Sequence, residues 1–223
     1  MKVDLKYYKG FALTKGDSSI EATQLNMLSI TKDIPLITVP KKTPCPAEYV
    51  PCGSVEWCEQ TLGYHVKPDY YPEWLNQYLY RNVWKTDKWP LGEKVFIKPA
   101  DRYKRFTGVC TTGTYKNKKK PPYWCSEIIK FTNEWRYYVS NGKVLCGEWY
   151  WGDEINTPLA PELNIVIPSE YCGALDFGLS DGLLTLVEAQ HPYACGFYGK
   201  DTSLYAQWLI DGWEYVYWKG EIK

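Results

Sequence analysis

The sequence predicts an α+β chain, and two observations carry that assignment. Two tight-turn signals, Asn141-Gly142 and Ser180-Asp181-Gly182, each separate a pair of strand-like runs in the carboxyl-terminal half. Ahead of them, short apolar runs alternate with polar stretches of helical length.

Taken in order, Gly10-Phe11-Ala12-Leu13 and Ile34-Pro35-Leu36-Ile37-Thr38-Val39 read as strands around a polar segment that can hold a helix, a small α/β lobe. Pro40 to Gly53 contains four prolines and reads as an ordered loop or linker, so a boundary is expected at residue 53. Ser54 is placed to cap a short helix through Leu62. Tyr71 to Tyr80, with Trp74, Leu75, Tyr78 and Leu79 at three- and four-residue spacings, reads as an amphipathic helix. From Lys94 the pattern turns to strands, first Lys94 to Lys98, ended by Pro99, then Tyr123 to Phe131.

Glu134 to Ser140 and Lys143 to Trp151 flank Asn141-Gly142, the dipeptide suited to a two-residue type I′ hairpin. Such a hairpin puts Glu134, Arg136 and Tyr138 on one face and sets Arg136 opposite Gly147. Cys172 to Gly178 and Leu183 to Ala189 form the second pair. Asp176 then lies opposite or diagonal to Glu188, with Gln190 on the same face. Ser203 to Ile210 reads as a closing helix, and no internal repeat is present.

At 223 residues and 45% hydrophobic content, the chain can bury one good core or two small lobes sharing a cleft. The 26 basic and 26 acidic side chains cancel, so no global field selects nucleic acid or a membrane surface. Eleven Trp and 20 Tyr suit core packing, base stacking and sugar binding alike. The eight cysteines show no Cys-x-x-Cys spacing of a zinc site and are expected as reduced thiols. Charges interrupt the first nine residues, so no secretory peptide is read, no transmembrane run follows, and a cytoplasmic location is expected.

Asp176, Glu188 and Gln190 would join two carboxylates and an amide oxygen, a hard donor set suited to magnesium. The plainer reading makes Asp176 a turn acid and Glu188 a solvated strand residue. Lys98, at a strand end, could meet a phosphate or simply face water. The segment from Arg102 to Pro122, with Lys104, Arg105, Gly108, Gly113 and the run Lys116 to Lys120, could cover phosphates, track RNA or be a solvated loop. His191 and His65 are the only histidines. Neither has a Ser/His/Asp or Cys/His arrangement around it.

Phe-Ile-Lys98-Pro, the basic glycine-containing loop, Ser-Glu127-Ile-Ile-Lys, Glu134-Trp-Arg136-Tyr-Tyr-Val, Leu-Asp176-Phe-Gly and Leu-Val-Glu188-Ala-Gln190 together resemble the ATP-grasp superfamily. Lys98-Pro-Ala-Asp101, Lys104-Arg105-Phe-Thr-Gly108 and His191-Pro-Tyr-Ala-Cys-Gly196-Phe-Tyr198-Gly199 look like a compact ATP-grasp clade of phages and bacteria. The resemblance implies an ATP-grasp fold: two lobes with antiparallel sheets enclose a nucleotide cleft over residues 54–223, after a small α/β lobe at 1–53.

It further implies Lys98 on the nucleotide's phosphates, Glu127 and Ile128 along adenine, Glu134 nearby, and Arg81 as an earlier cationic contact. Arg136 would face the transferred phosphoryl group, with Arg136 or Arg105 stabilising an oxyanion. Asp176, Glu188 and Gln190 would hold Mg2+. The family usually has Asn where this chain has Gln190. The implied activity is ATP-dependent ligation: a carboxylate becomes an acyl phosphate, ADP leaves, and an amine attacks. Peptide and protein acceptors are open, nucleic acid included. The rival is an aromatic-rich module that binds nucleic acid or carbohydrate without turning over ATP.

Overall fold

The computed structural model describes residues 2–92, 94–111 and 120–221. The amino-terminal part is a three-stranded parallel sheet in the order β2-β1-β3, with β1 at Gly10–Thr14, β2 at Leu36–Val39 and β3 at Tyr49–Cys52. Helix α1, Ile20–Lys32, makes the β1-to-β2 crossover, as the polar segment between the two apolar runs predicts. Ser19 caps it by accepting the N–H of Ala22.

The proline-rich stretch is not all loop. Tyr49–Cys52, near its end, form β3, and Pro51 is tolerated there because β3 is an edge strand with β1 on one side alone. Helix α2, Val55–Leu62, follows with Ser54 as its N-cap and Gly63 in the left-handed conformation at its end, in agreement with the sequence.

The segment read as an amphipathic helix is a 3-10 helix, Glu73–Tyr78. Pro72 fixes its entry, and Tyr80, at φ 44°, stops it before a full α-helical stripe can form. Four antiparallel strands come next: β4 (Val83–Thr86), β5 (Val95–Pro99), β6 (Val109–Thr111) and β7 (Tyr123–Glu127), in the order β4-β7-β5-β6. Pro99 closes β5 from inside the strand, paired with Tyr123 beyond the reach of β6. β7 stops at Glu127 instead of running to Phe131.

The second antiparallel sheet has the order β11-β10-β8-β9. Its strands are β8 (Glu134–Ser140), β9 (Lys143–Trp151), β10 (Gly173–Ser180) and β11 (Leu183–Gln190). Asn141 and Gly142, at φ 48° and 70°, and Asp181 and Gly182, at 49° and 79°, make both two-residue turns with the positive angles of type I′. The registers depart from a regular ladder. Irregularities in the β8–β9 pairing shift Arg136 opposite Glu148 and put Gly147 opposite Tyr137, correcting the expected Arg136–Gly147 pair. A bulge at Asp176/Phe177 leaves Val187 unpaired and sets Asp176 directly opposite Glu188.

Helix α3, Thr202–Glu221, is longer than the expected closing helix. Asp201 satisfies its first turn by accepting the N–H groups of Ser203 and Leu204. Trp208, fully buried, donates to the carbonyl of Gly173 at 3.0 Å and ties the helix to β10. The main core runs from the parallel sheet through α3 to β8 and β10, and a smaller one of Val95, Ile97, Tyr123 and Cys125 lies beneath β5 and β7. No disulfide joins any of the eight cysteines. Among the described residues no helix is long and apolar enough to cross a membrane.

Candidate functional site

A cleft of about 640 Å³ lies between the two antiparallel sheets. Strand β5 delivers Phe96 and Lys98 to one wall, and β11 delivers Val187, Glu188 and Gln190 to the other. Alternation along β11 explains why Glu188 and Gln190 appear together. At the bottom, charge is paired throughout. Lys98 Nζ donates to Glu188 Oε2 across the gap between sheets. Arg136 grips Asp176 in a bidentate pair, Nε to Oδ1 at 2.7 Å and Nη2 to Oδ2 at 2.8 Å, with both residues buried. Gln190 Nε2 bridges the two carboxylates, 2.7 Å from Glu188 Oε1 and 3.3 Å from Asp176 Oδ2.

Lys98 sits over the rings of Tyr70 and Phe96, at 4.7 and 5.3 Å from their centroids. Burial pushes its ammonium down to about 7, with the Asp176 carboxylate pulling the other way. Burial also raises the Glu134 carboxyl above its usual range, opposed by the hydrogen bond that Tyr150 Oη donates to it. Among the described residues no three His, Cys, Asp or Glu side chains cluster to hold a metal ion. Asp176, Glu188 and Gln190 bring two carboxylates and one amide together here, linked through Gln190 Nε2.

The sequence-predicted residues separate into three groups. Lys98, Glu134, Glu188, Gln190, Arg81, Glu127 and Ile128 all line the cleft. Arg81 is held in place by the carbonyls of Leu186 and Val187, at 2.6 and 3.0 Å, and Glu127 by the backbone and side-chain amides of Asn82. Asp176 and Arg136 lie beneath that wall, and the third arm of Arg136 donates to the Gly196 carbonyl at 3.3 Å. Arg136 is thus committed to Asp176 and Gly196 in this state and does not face an open phosphoryl position.

Arg105 does not line the cleft. Its guanidinium is satisfied by Asp101, four residues earlier, at 2.8 Å, and by the Pro122 carbonyl. Of the basic loop, Lys104 lines the cleft and donates to the Ala194 carbonyl, whereas Gly113 and Lys116 to Lys119 lie outside the described residues. His191 is buried and lines the inner wall of the cleft.

The aromatic wall is what the sequence did not announce. Tyr70 comes from the segment before β4, bonded through its carbonyl to the Ala189 N–H, a long-range contact with no local signal. Tyr150 and Tyr198 stack at 5.2 Å, each within 5.5 Å of the Arg136 guanidinium carbon. Tyr198 was visible only as part of a longer motif.

Residues 77–208, more than half of the chain, match the family described as "ATP-grasp domain, R2K clade family 2". The chain belongs to that family. Its sheets and cleft are those of an ATP-grasp domain. No curated protein matches.

Among solved structures, this ATP-grasp chain is similar to D-alanine--D-alanine ligase from Bacillus anthracis complexed with ATP. That match has 10% identity and a TM-score of 0.46 and covers 96% of this chain and 99% of the other. A RimK domain ATP-grasp protein from Sphaerobacter thermophilus matches at 12% identity and TM-score 0.48, over 93% and 98% of the two chains. N5-carboxyaminoimidazole synthetase from Staphylococcus aureus matches at 8% identity and TM-score 0.48, over 95% and 80%.

Proposed function

We propose that this ATP-grasp chain is a magnesium-dependent ligase that activates a carboxylate with ATP and joins it to an amine. The observation that carries the reading is the Lys98–Glu188 pair beside Asp176 and Gln190, which gathers a phosphate-type cation and hard oxygen donors at one end of an aromatic-lined cleft. Residues 54–223 form the catalytic region on this reading, and 1–53 the small lobe.

Adenine would lie along Glu127 and Ile128, with its phosphates running toward Lys98 and Arg81. Asp176, Glu188 and Gln190 fit a magnesium ion by donor type, with the Gln190 amide turned to present Oε1 in place of Nε2. When bound, the ion supplies neutralisation of phosphate charge. Lys98 binds the phosphates and Arg136 fixes the Asp176 carboxylate in orientation, which makes Arg136 a positioning residue in this state. Tyr70 and Phe96 exclude water from the Lys98 ammonium.

The reaction needs no side-chain nucleophile. A carboxylate oxygen of the substrate bonds to the γ-phosphorus as the bond to the β-phosphate oxygen breaks, and ADP leaves. The amine nitrogen then bonds to the acyl carbon, inorganic phosphate departs with the acyl oxygen, and the nitrogen loses a proton. Arg105, held against Asp101, has no part in this account.

Calorimetry of ATP binding with and without magnesium, followed by product analysis against pooled carboxylates and amines, tests the proposal. Magnesium-dependent binding with ADP release is expected. AMP and pyrophosphate would overturn the acyl-phosphate route, and absence of ATP binding would overturn the ligase reading and favour the aromatic binding module.

A further inference from the structure

Tyr103, Gln190 and His191 line two cavities at once. One is the cleft just described, and the other is a groove of about 790 Å³ walled by Trp74, Tyr171 and Tyr215. Those rings are in edge contact, Trp74 to Tyr171 at 5.2 Å and Tyr171 to Tyr215 at 6.2 Å, so the wall is a continuous aromatic surface. Asp69, Glu73 and Glu170 also line the groove, against Lys67 as the one lysine, which leaves the lining acidic. Aromatic faces with surplus negative charge favour a cation.

His191 supplies a second, independent feature. It is 4% exposed, and its Nδ1 accepts the Tyr193 N–H at 3.3 Å, which places the ring proton of the neutral imidazole on Nε2. Among the described residues no group pairs with that Nε2. The ring cannot easily turn away, because it stacks on Tyr193 at 4.1 Å and meets the edge of Tyr103 at 4.3 Å. A buried donor without an acceptor is destabilising. Its position on the wall between two cavities is where a ligand's carbonyl oxygen would relieve that cost.

We infer that the groove seats the amine acceptor: a primary amine carried on an extended, largely apolar chain, with His191 Nε2 donating to a carbonyl oxygen of that chain. The inference rests on the ligase reading, which requires an amine as second substrate. It adds the route: the acceptor approaches Gln190 and His191 from the side of the groove, while the nucleotide occupies the cleft. The groove exceeds the 640 Å³ of the cleft assigned to a nucleotide, which argues for a chain and against a small free amine.

The test uses the full chain and two tripeptides, Lys-Trp-Lys and Glu-Trp-Glu, titrated by calorimetry, with ATP titrated in parallel. Saturable binding of Lys-Trp-Lys is expected, with Glu-Trp-Glu at least about tenfold weaker. The double variant Glu73→Lys/Glu170→Lys changes two exposed side chains, so folding is not at stake. It should weaken Lys-Trp-Lys about tenfold while ATP affinity stays within about twofold. His191→Gln, which keeps an N–H donor, should bind better than His191→Leu, and the rim variant decides the matter if His191→Leu does not fold. Equal affinity for the two peptides, an unaffected rim variant, or no binding of Lys-Trp-Lys overturns the groove assignment. ATP binding without peptide binding sinks the groove alone, whereas loss of ATP binding sinks the ligase reading.

Discussion

Lys98 and Glu188 belong to different sheets, β5 and β11, and form an ion pair across the cleft that separates them. Each therefore reports on a different function. Glu188→Gln removes a charge with little change of shape. Its expected outcome is a loss of magnesium-dependent turnover of about 10²–10³-fold with the melting temperature moved by only a few degrees. Turnover at the parental rate would remove Glu188 from the site.

Lys98→Ala should act on binding itself. A charge-assisted hydrogen bond to phosphate is worth about 1.5–3 kcal/mol, so ATP affinity should fall roughly 10–100-fold. Calorimetry reads this directly, and an unchanged dissociation constant would leave Lys98 as a partner of Glu188 and nothing more.

Asp176 should behave differently, because it holds a buried charge as well as being a proposed ligand. Asp176→Asn leaves Arg136, only 7% exposed, without its bidentate partner. Breaking such a pair costs about 3–5 kcal/mol. Urea unfolding should show a lower midpoint for Asp176→Asn than for Glu188→Gln. Equal midpoints would mean that water reaches Arg136 in solution.

Much of this was legible beforehand. Asn141-Gly142 and Asp181-Gly182 fixed both hairpins because the positive angles they need are rare for other residues, and Ser54 marked α2 by its hydrogen-bonding capacity. What escaped was non-local. Whether Asp176 faced Glu188 directly or diagonally turned on the unpaired Val187, and a bulge has no sequence code that one chain displays. The same holds for Arg136, moved from Gly147 to Glu148. β3 was hidden by Pro51 and the prolines ahead of it, since an edge strand tolerates what a central one does not. The pairing of Arg105 with Asp101, four residues earlier in an irregular loop, is likewise a contact without a periodic signal.

The two turn glycines provide a comparison with a built-in control. Gly142 and Gly182 share the left-handed conformation, at φ 70° and 79°. A Cβ at Gly182 meets nothing within 4 Å, whereas one at Gly142 comes within 2.7 Å of the Pro168 carbonyl oxygen and 2.8 Å of Ser169 Cα. Gly182→Ala should cost about 1–2 kcal/mol, the conformational penalty alone. Gly142→Ala should cost more, because backbone has to move. Denaturant unfolding of both variants checks the order, and equal losses would show that the segment around Pro168 yields freely.

His191 predicts the pH dependence of folding. Burial, reinforced by the positive charges of Lys104 and Arg136, pushes its imidazole down to about 3 from an ordinary value near 6.5. Between those values the unfolded chain takes up a proton that the native one refuses, so stability rises with pH through the window and is lost as pH falls through it. One such proton contributes a slope of up to about 1.4 kcal/mol per pH unit. Carboxylates add their own acid sensitivity lower down, so the interval between about pH 5 and 6.5 isolates the histidine best. Unfolding free energies of the parent and of His191→Gln should converge as pH falls through that interval, since the glutamine has no proton to refuse. Parallel curves would mean that His191 is protonated in the native state, and with both ring nitrogens then donors, the Tyr193 N–H could no longer be the partner of Nδ1.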